Sequence, residues 1–241
     1  MESPLGGFLV TLGAFAPSLV AISLTARARG NQGVRELFGR ILRGPIPARG
    51  IVIALTYMLA IKLAAAVIHR FAFDAWPTFD TSELLVIPFA IAISTFAQAG
   101  EELGWRGYAL PRMADRVGLA PASVLLGVVW GAWHLPLFYV RGADKFHQAI
   151  LPYVLASTAL SVAIAWLYTI SRGGLLLPML MHSAINNTKD IVRSGKVDPP
   201  GVFSLAASRM AWLTAALLWV SAIAILVWMV RTEPQRAERE R

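Results

Sequence analysis

The sequence has no cysteine, which excludes disulfides, thiolate metal sites and a cysteine nucleophile together. Charge is scarce as well: 15% of the 241 residues are Asp, Glu, Lys or Arg, where a soluble domain carries about a quarter. No polar block is long enough for a separate soluble domain, and there is no internal repeat or low-complexity segment. No basic residue precedes the first apolar run, so the charged region of a signal peptide is missing too. Acidic residues are outnumbered, 14 against 22 basic, for a net charge of +8. The cations sit in short stretches between apolar runs rather than along one face of a soluble fold, so nucleic acid is not an expected partner. What is abundant is hydrocarbon, with 56% hydrophobic residues and a mean hydropathy of +0.59. The chain reads as an integral membrane protein whose first partner is the lipid bilayer.

Apolar segments cover residues 8–26, 51–68, a third run from 84, 122–139, 149–170, 175–188 and 210–230. A span needs about 20 helical residues, so the expected fold class is all-α, a polytopic bundle of about seven spans. A single domain covers residues 1–241. Pro17 is expected to kink the first span. Lys62 interrupts the second, and snorkelling to the interface accounts for it. Arg27, Arg29, Arg35, Arg40, Arg43 and Arg49 follow the first span, with Leu37, Phe38, Ile41 and Leu42 at the spacing of a short surface helix. Fourteen basic residues fall on the side of this stretch and seven on the other. That bias predicts an external N-terminus and a cytoplasmic C-terminus, and the Arg-rich segments suit a bacterial cytoplasmic membrane.

Three polar clusters interrupt the hydrocarbon. Glu101, Glu102 and Arg106 close the third run, Trp130 and His134 lie in the fourth, and His182 and Asn186 in the sixth. Residues four apart share a helix face, which pairs Glu102 with Arg106, Glu101 with Trp105, Trp130 with His134, and His182 with Asn186. Ionisable groups in membrane segments are costly and point to function. A carboxylate facing imidazoles can activate water, and an amide such as that of Asn186 can hold the resulting oxyanion. Glu101, His134 and His182 also form a possible three-ligand set for catalytic zinc, with a fourth position for water; activation without any metal is the other reading. Ser183 points about 100° away from His182 on a helix, which argues against a serine nucleophile. His69 and His147 read as loop histidines. Taken singly, each cluster also suits a plain structural role, Glu102 with Arg106 as an ion pair and His182 with Asn186 as interhelical glue.

Order and spacing of these clusters resemble a family. Glu101–Glu102–Leu103–Gly104–Trp105–Arg106 fits E-E-x-x-x-R, Trp130 to His134 fits an aromatic-x-x-x-H motif, and His182 to Asn186 fits H-x-x-x-N. Together they look like the CPBP family of type II CAAX prenyl proteases and bacteriocin-processing or self-immunity ("Abi") proteins, over a core of about residues 84–188. The resemblance implies an intramembrane endopeptidase with a cavity reached from the cytoplasmic side. It implies that Glu101 and His134 activate water, that His182 and Asn186 bind the oxyanion, and that Glu102 and Arg106 support the site. The substrate would be a membrane-associated peptide or protein of CAAX type or leader type. Two rivals stand beside it: a non-catalytic immunity or scaffold protein, and a small proton-coupled transporter.

Depth sets a condition on this reading. If the fourth span starts near residue 122, His134 lies about 18 Å along it, while Glu101 is near the inner end of the third. They can meet if the third helix runs on past Arg106 or the fourth begins in the cytoplasm.

Overall fold

The computed structural model describes residues 4–194 and 208–239. Among them the architecture is all helical: α1 (Pro4–Gly39), α2 (Ala48–Phe73), α3 (Ile87–Ala97), α4 (Ala99–Gly104), α5 (Leu110–Val117), α6 (Leu119–Trp133), α7 (Ile150–Ile170), α8 (Leu176–Thr188) and α9 (Arg209–Arg239). A π-helical turn, Trp105–Ala109, joins α4 to α5. Every expected apolar segment is helical. Four helices are long and apolar enough to cross a membrane, within Thr11–Leu42, Ala48–Phe73, Ile150–Ile170 and Arg209–Thr232, and Leu119–Trp133 is a shorter apolar helix. Lys196, the Pro199–Pro200–Gly201 turn and Arg241 lie outside the described residues.

The bundle is built around α7. Two-thirds of its most apolar window is buried (67%), against 28% in α2 and in α9. Leu160, Ile164 and Leu167 of α7 pack with Trp130, Leu177, Met181 and Leu218 in the main core. The outer faces stay apolar. Leu85, just before α3, and Phe89, Ile93 and Phe96 on it are exposed, a patch that water would penalise and lipid accepts.

Two local expectations change. The Arg-rich stretch after the first span, expected as a loop with a short surface helix, is helical as far as Gly39, because α1 continues through Arg27, Arg29 and Arg35. Arg40 opens a 3₁₀ turn and Arg43 is extended, and the break within α1 comes at Gly30, whose φ of 60° ends one helical run before the next begins. Pro17 instead faces α4, where a Cβ at Gly104 would stand 2.4 Å from the Pro17 carbonyl carbon. A glycine there lets the two backbones touch. The third helical run does continue past Arg106, through α4 and the π turn to Val117. Pro111 does not stop it. The Gly107 carbonyl, four residues back, has no proline N–H to accept and takes one from the Arg40 guanidinium at 2.9 Å.

Candidate active site

The site is assembled where α3–α4 and the π turn meet α6 and α8. π turns of this kind occur mostly at functional sites, and here the Leu110 N–H reaches back five residues to Trp105 O. Ser18 of α1 clamps the segment, donating to Ala99 O at 2.7 Å and accepting the Gly104 N–H at 3.2 Å. Behind it, Ser183 donates to Ile91 O at 2.9 Å and meets the Ser94 hydroxyl at 2.6 Å, and Ser94 accepts from Asn187 at 3.0 Å. These bonds fix α8 against α3, and they commit Ser183 to structure.

At the centre is a buried polar triad. Arg106 donates to Glu102 Oε1 at 2.8 Å, both side chains having no exposure, and His182 Nδ1 donates to the same oxygen at 2.8 Å. Such a carboxylate repays its desolvation only through good geometry with its partners, and it has two. The Arg106 guanidinium carbon also lies 4.8 Å from the Trp130 ring centroid, a cation–π contact.

Glu101 takes a different environment. It is half-buried, and its Oε2 accepts the Trp130 indole N–H at 2.7 Å. His134, at the end of α6, donates from Nδ1 to Trp130 O at 2.8 Å. When neutral, that bond leaves Nε2 as the lone-pair nitrogen. The Trp130 ring stands edge-on to both imidazoles, with centroids 5.7 Å from His134 and 5.1 Å from His182. Tyr153 packs on the other side of His134, 5.7 Å away.

Trp130, His134, His182 and Asn186 all line one cavity of about 590 Å³. Asn186 is exposed there, one turn beyond buried His182. The mouth is framed by charged loops. Arg193 donates to Asp80 at 2.6 Å, Lys145 to Asp144 at 2.5 Å and Lys189 to Asp190 at 2.8 Å. The loops carrying Asp80 and Arg193 are stitched by an isolated β-bridge between Phe79 and Val192. Hydrogen bonds from Ser82 and Arg193 pull the Asp80 carboxyl down to about 2. Burial alone would raise the Asp144 carboxyl, but the Lys145 and Lys189 ammonium groups beside it hold it below the ordinary carboxylate range.

The six residues expected from sequence therefore meet, though in two groups: Glu102, Arg106 and His182 in the triad, and Glu101 and His134 around Trp130, with Asn186 on the cavity wall. Both imidazoles use Nδ1 for a hydrogen bond, which leaves Nε2 on each, and Glu101 uses Oε2 for the indole. Among the described residues no set of three His, Asp or Glu side chains could hold a metal ion. His69, expected in a loop, lies instead in the last turns of α2, with Nδ1 donating to Ala75 O at 2.8 Å.

Sequence reasoning missed two features. Trp130 was paired from its spacing only with His134, and it is the donor to Glu101. Lys62 was expected to snorkel to the interface, and it is buried at 2% exposure in the cavity wall. Its position on one face with Met58 and Ala65 was the available signal.

Comparison with known proteins points to a protease family. Residues 83–188 match the family described as type II CAAX prenyl endopeptidase, Rce1-like. The chain is also 28% identical over 216 residues to CAAX prenyl protease 2 of Methanococcus maripaludis, covering 82% of this chain and 78% of the relative. Both similarities support a membrane-embedded protease. The matched stretch runs from just before α3 to the end of α8 and holds all six expected polar residues.

Proposed function

We propose that the protein is an intramembrane endopeptidase that hydrolyses a peptide bond of a membrane-associated substrate, of CAAX or leader type, by activated water. Glu101 accepts a proton from water as its oxygen attacks the scissile carbonyl carbon, and His134 orients that water through Nε2. The tetrahedral oxyanion takes hydrogen bonds from the Asn186 amide and from a protonated His182, whose charge Glu102 balances. The intermediate collapses as the carbon–nitrogen bond breaks and the proton passes to the departing amine, leaving a carboxylate and an amine. Arg106 keeps Glu102 ionised and in place. The observation that carries the reading is the convergence of Trp130, His134, His182 and Asn186 on one cavity, with Glu101 bonded to the indole of Trp130.

The test is cleavage by the purified protein in detergent, using a farnesylated CAAX peptide and a leader-peptide library, with a zinc chelator as a further arm. Glu101→Gln and His134→Ala are each expected to lower the rate by about 10²- to 10⁴-fold. Cleavage that survives both substitutions would sink the assignment, and no cleavage by wild type would return the scaffold and transporter rivals to the front.

Orientation belongs to the same proposal. An external N-terminus and a cytoplasmic C-terminus place the arginine-rich segments inside, in a membrane of bacterial type. Asp80, Asp144, Lys145, Lys189 and Arg193 at the cavity mouth all lie in segments that this charge bias puts outside. An outward mouth and cytoplasmic access therefore exclude one another, and we keep the outward mouth. The cysteine-free chain makes the check direct: a cysteine at Ser82 is expected to react with an impermeant maleimide on intact cells, and one at Asp115 only after lysis. The reverse pattern would overturn the orientation.

A further inference from the structure

One charged group in the cavity has no part in this chemistry. Lys62, in the middle of α2, is 2% exposed and lines the same cavity as His134, His182 and Asn186. Its ammonium donates to Ser194 Oγ at 2.6 Å. A single hydroxyl does not offset the desolvation of a cation at that depth, and a buried charge in a membrane helix signals function before packing.

The surrounding charges make the imbalance specific. The chain has four lysines, and Lys62, Lys145 and Lys189 all line this cavity, together with Arg193. The Asp residues lining it are Asp80, Asp144 and Asp190, and each is taken, by Arg193 at 2.6 Å, Lys145 at 2.5 Å and Lys189 at 2.8 Å. Among the described residues, Lys62 is the cation of the lining with no carboxylate at ion-pair distance.

We propose that Lys62 is a substrate subsite, and that it binds the free carboxylate at the C-terminal end of the peptide. The proposal rests on the endopeptidase reading above. At about 590 Å³ the cavity has the size of a ligand pocket, which suits a chain end better than a strand running through. The cavity wall also includes Met58, Leu160 and Ala211, apolar surface for the last side chains. Electrostatics sets the direction of the chain. Among the described residues Lys62 is the lining cation with no carboxylate at ion-pair distance, so a terminal carboxylate is drawn to it. The scissile carbonyl then rests a short distance back along the chain, by His182 and Asn186. On this assignment Lys62 is a specificity-determining residue that restricts cleavage to bonds near a free C-terminus.

The experiment uses the full chain with Glu101→Gln, which keeps the cavity and removes turnover. Binding of a dansylated, farnesylated peptide ending in a free carboxylate is compared, by fluorescence anisotropy in detergent, with that of its C-terminal amide. The acid is expected to bind at least about tenfold tighter, the scale of one hydrogen-bonded charge. Lys62→Met should bring the acid-to-amide ratio close to one, whereas Lys62→Arg and Ser194→Ala should preserve most of it. A merely structural lysine would instead weaken both peptides alike and leave the ratio where it was. Equal binding of acid and amide by the parent, binding of neither, or a ratio unmoved by Lys62→Met overturns the proposal. If Lys62→Met does not fold, the parent ratio decides, since it depends on no variant of Lys62. Wild-type cleavage of both peptides at equal rates would remove the Lys62 subsite and leave the endopeptidase standing. Acid-selective binding without cleavage of either would do the opposite.

Discussion

At the arginine-rich end of the bundle, backbone packs on backbone. Gly44 has φ 79°, and a Cβ there would stand 1.8 Å from Ser171 O. The Leu175 N–H donates to Arg40 O at 2.8 Å, and the Arg40 side chain reaches Gly107 O. At the other end the chain is held by side chains: the Asp80–Arg193 pair, the Asp144–Lys145 and Lys189–Asp190 pairs, and an open cavity between them. The contrast separates two kinds of work. Contacts that exclude even a methyl group fix the helices that carry Glu101 and His182, while ion pairs between side chains hold loops that a substrate must pass.

Substitutions at the two ends should therefore behave differently, and the buried triad between them should exceed both. Glu102→Gln leaves Arg106 uncompensated at zero exposure, which costs about 3–5 kcal/mol by analogy with other broken buried pairs. It should show as a large fall in thermal stability in detergent as well as lost activity. A stable, inactive Glu102→Gln protein would mean that the triad serves chemistry alone. Gly44→Ala, at the closed end, adds a methyl group where there is only a carbonyl oxygen, at a positive φ. A loss of about 3 kcal/mol is expected, measured by the same melt. Unchanged stability would show that the closed end yields as easily as the open one.

The smallest effect is expected at the mouth. The folded Asp80 carboxyl is lowered from 3.8 to about 2, so its pairing stabilises the fold above the ordinary value and is lost as pH falls through about 2. The difference in stability between wild type and Asp80→Asn should be constant above pH 4 and shrink towards pH 2. A difference that vanishes between pH 5 and 7 would show that another group controls the mouth.

How far the chain could be read without coordinates follows the same division. Local spacing carried the i to i+4 pairs, and Glu102 with Arg106 and Trp130 with His134 are bonded as the helix geometry requires. The hydrophobic runs carried the helices. What periodicity could not carry was contact between distant segments. His182 bonds Glu102 across 80 residues, and Lys62 reaches Ser194 across 132. A hydropathy window sees Lys62 as a lone charge in a span and sends it to the interface, because the cavity that receives it is made by α2, α7, α8 and the loops together. The continuation of α1 through its arginines was hidden for a related reason: charged residues form helices readily, and a count of arginines reports which side they are on, not their backbone.

The π turn has a consequence for phase. In a regular α-helix each residue advances about 100°, and the wide turn at Trp105–Ala109 takes in one residue more than that rhythm allows. Glu101 and Glu102 before it and Met113 and Arg116 after it are therefore indexed to different faces than an uninterrupted helix would give them. Removing one residue from this turn would restore the regular rhythm and rotate α5 by about a quarter-turn against α4. Either the acids would swing away from Trp130 and His182, or Met113 would leave the cluster it forms with Leu126 of α6. One residue's worth of slack is what allows a single rod to face its reaction partners along one half and its anchor along the other.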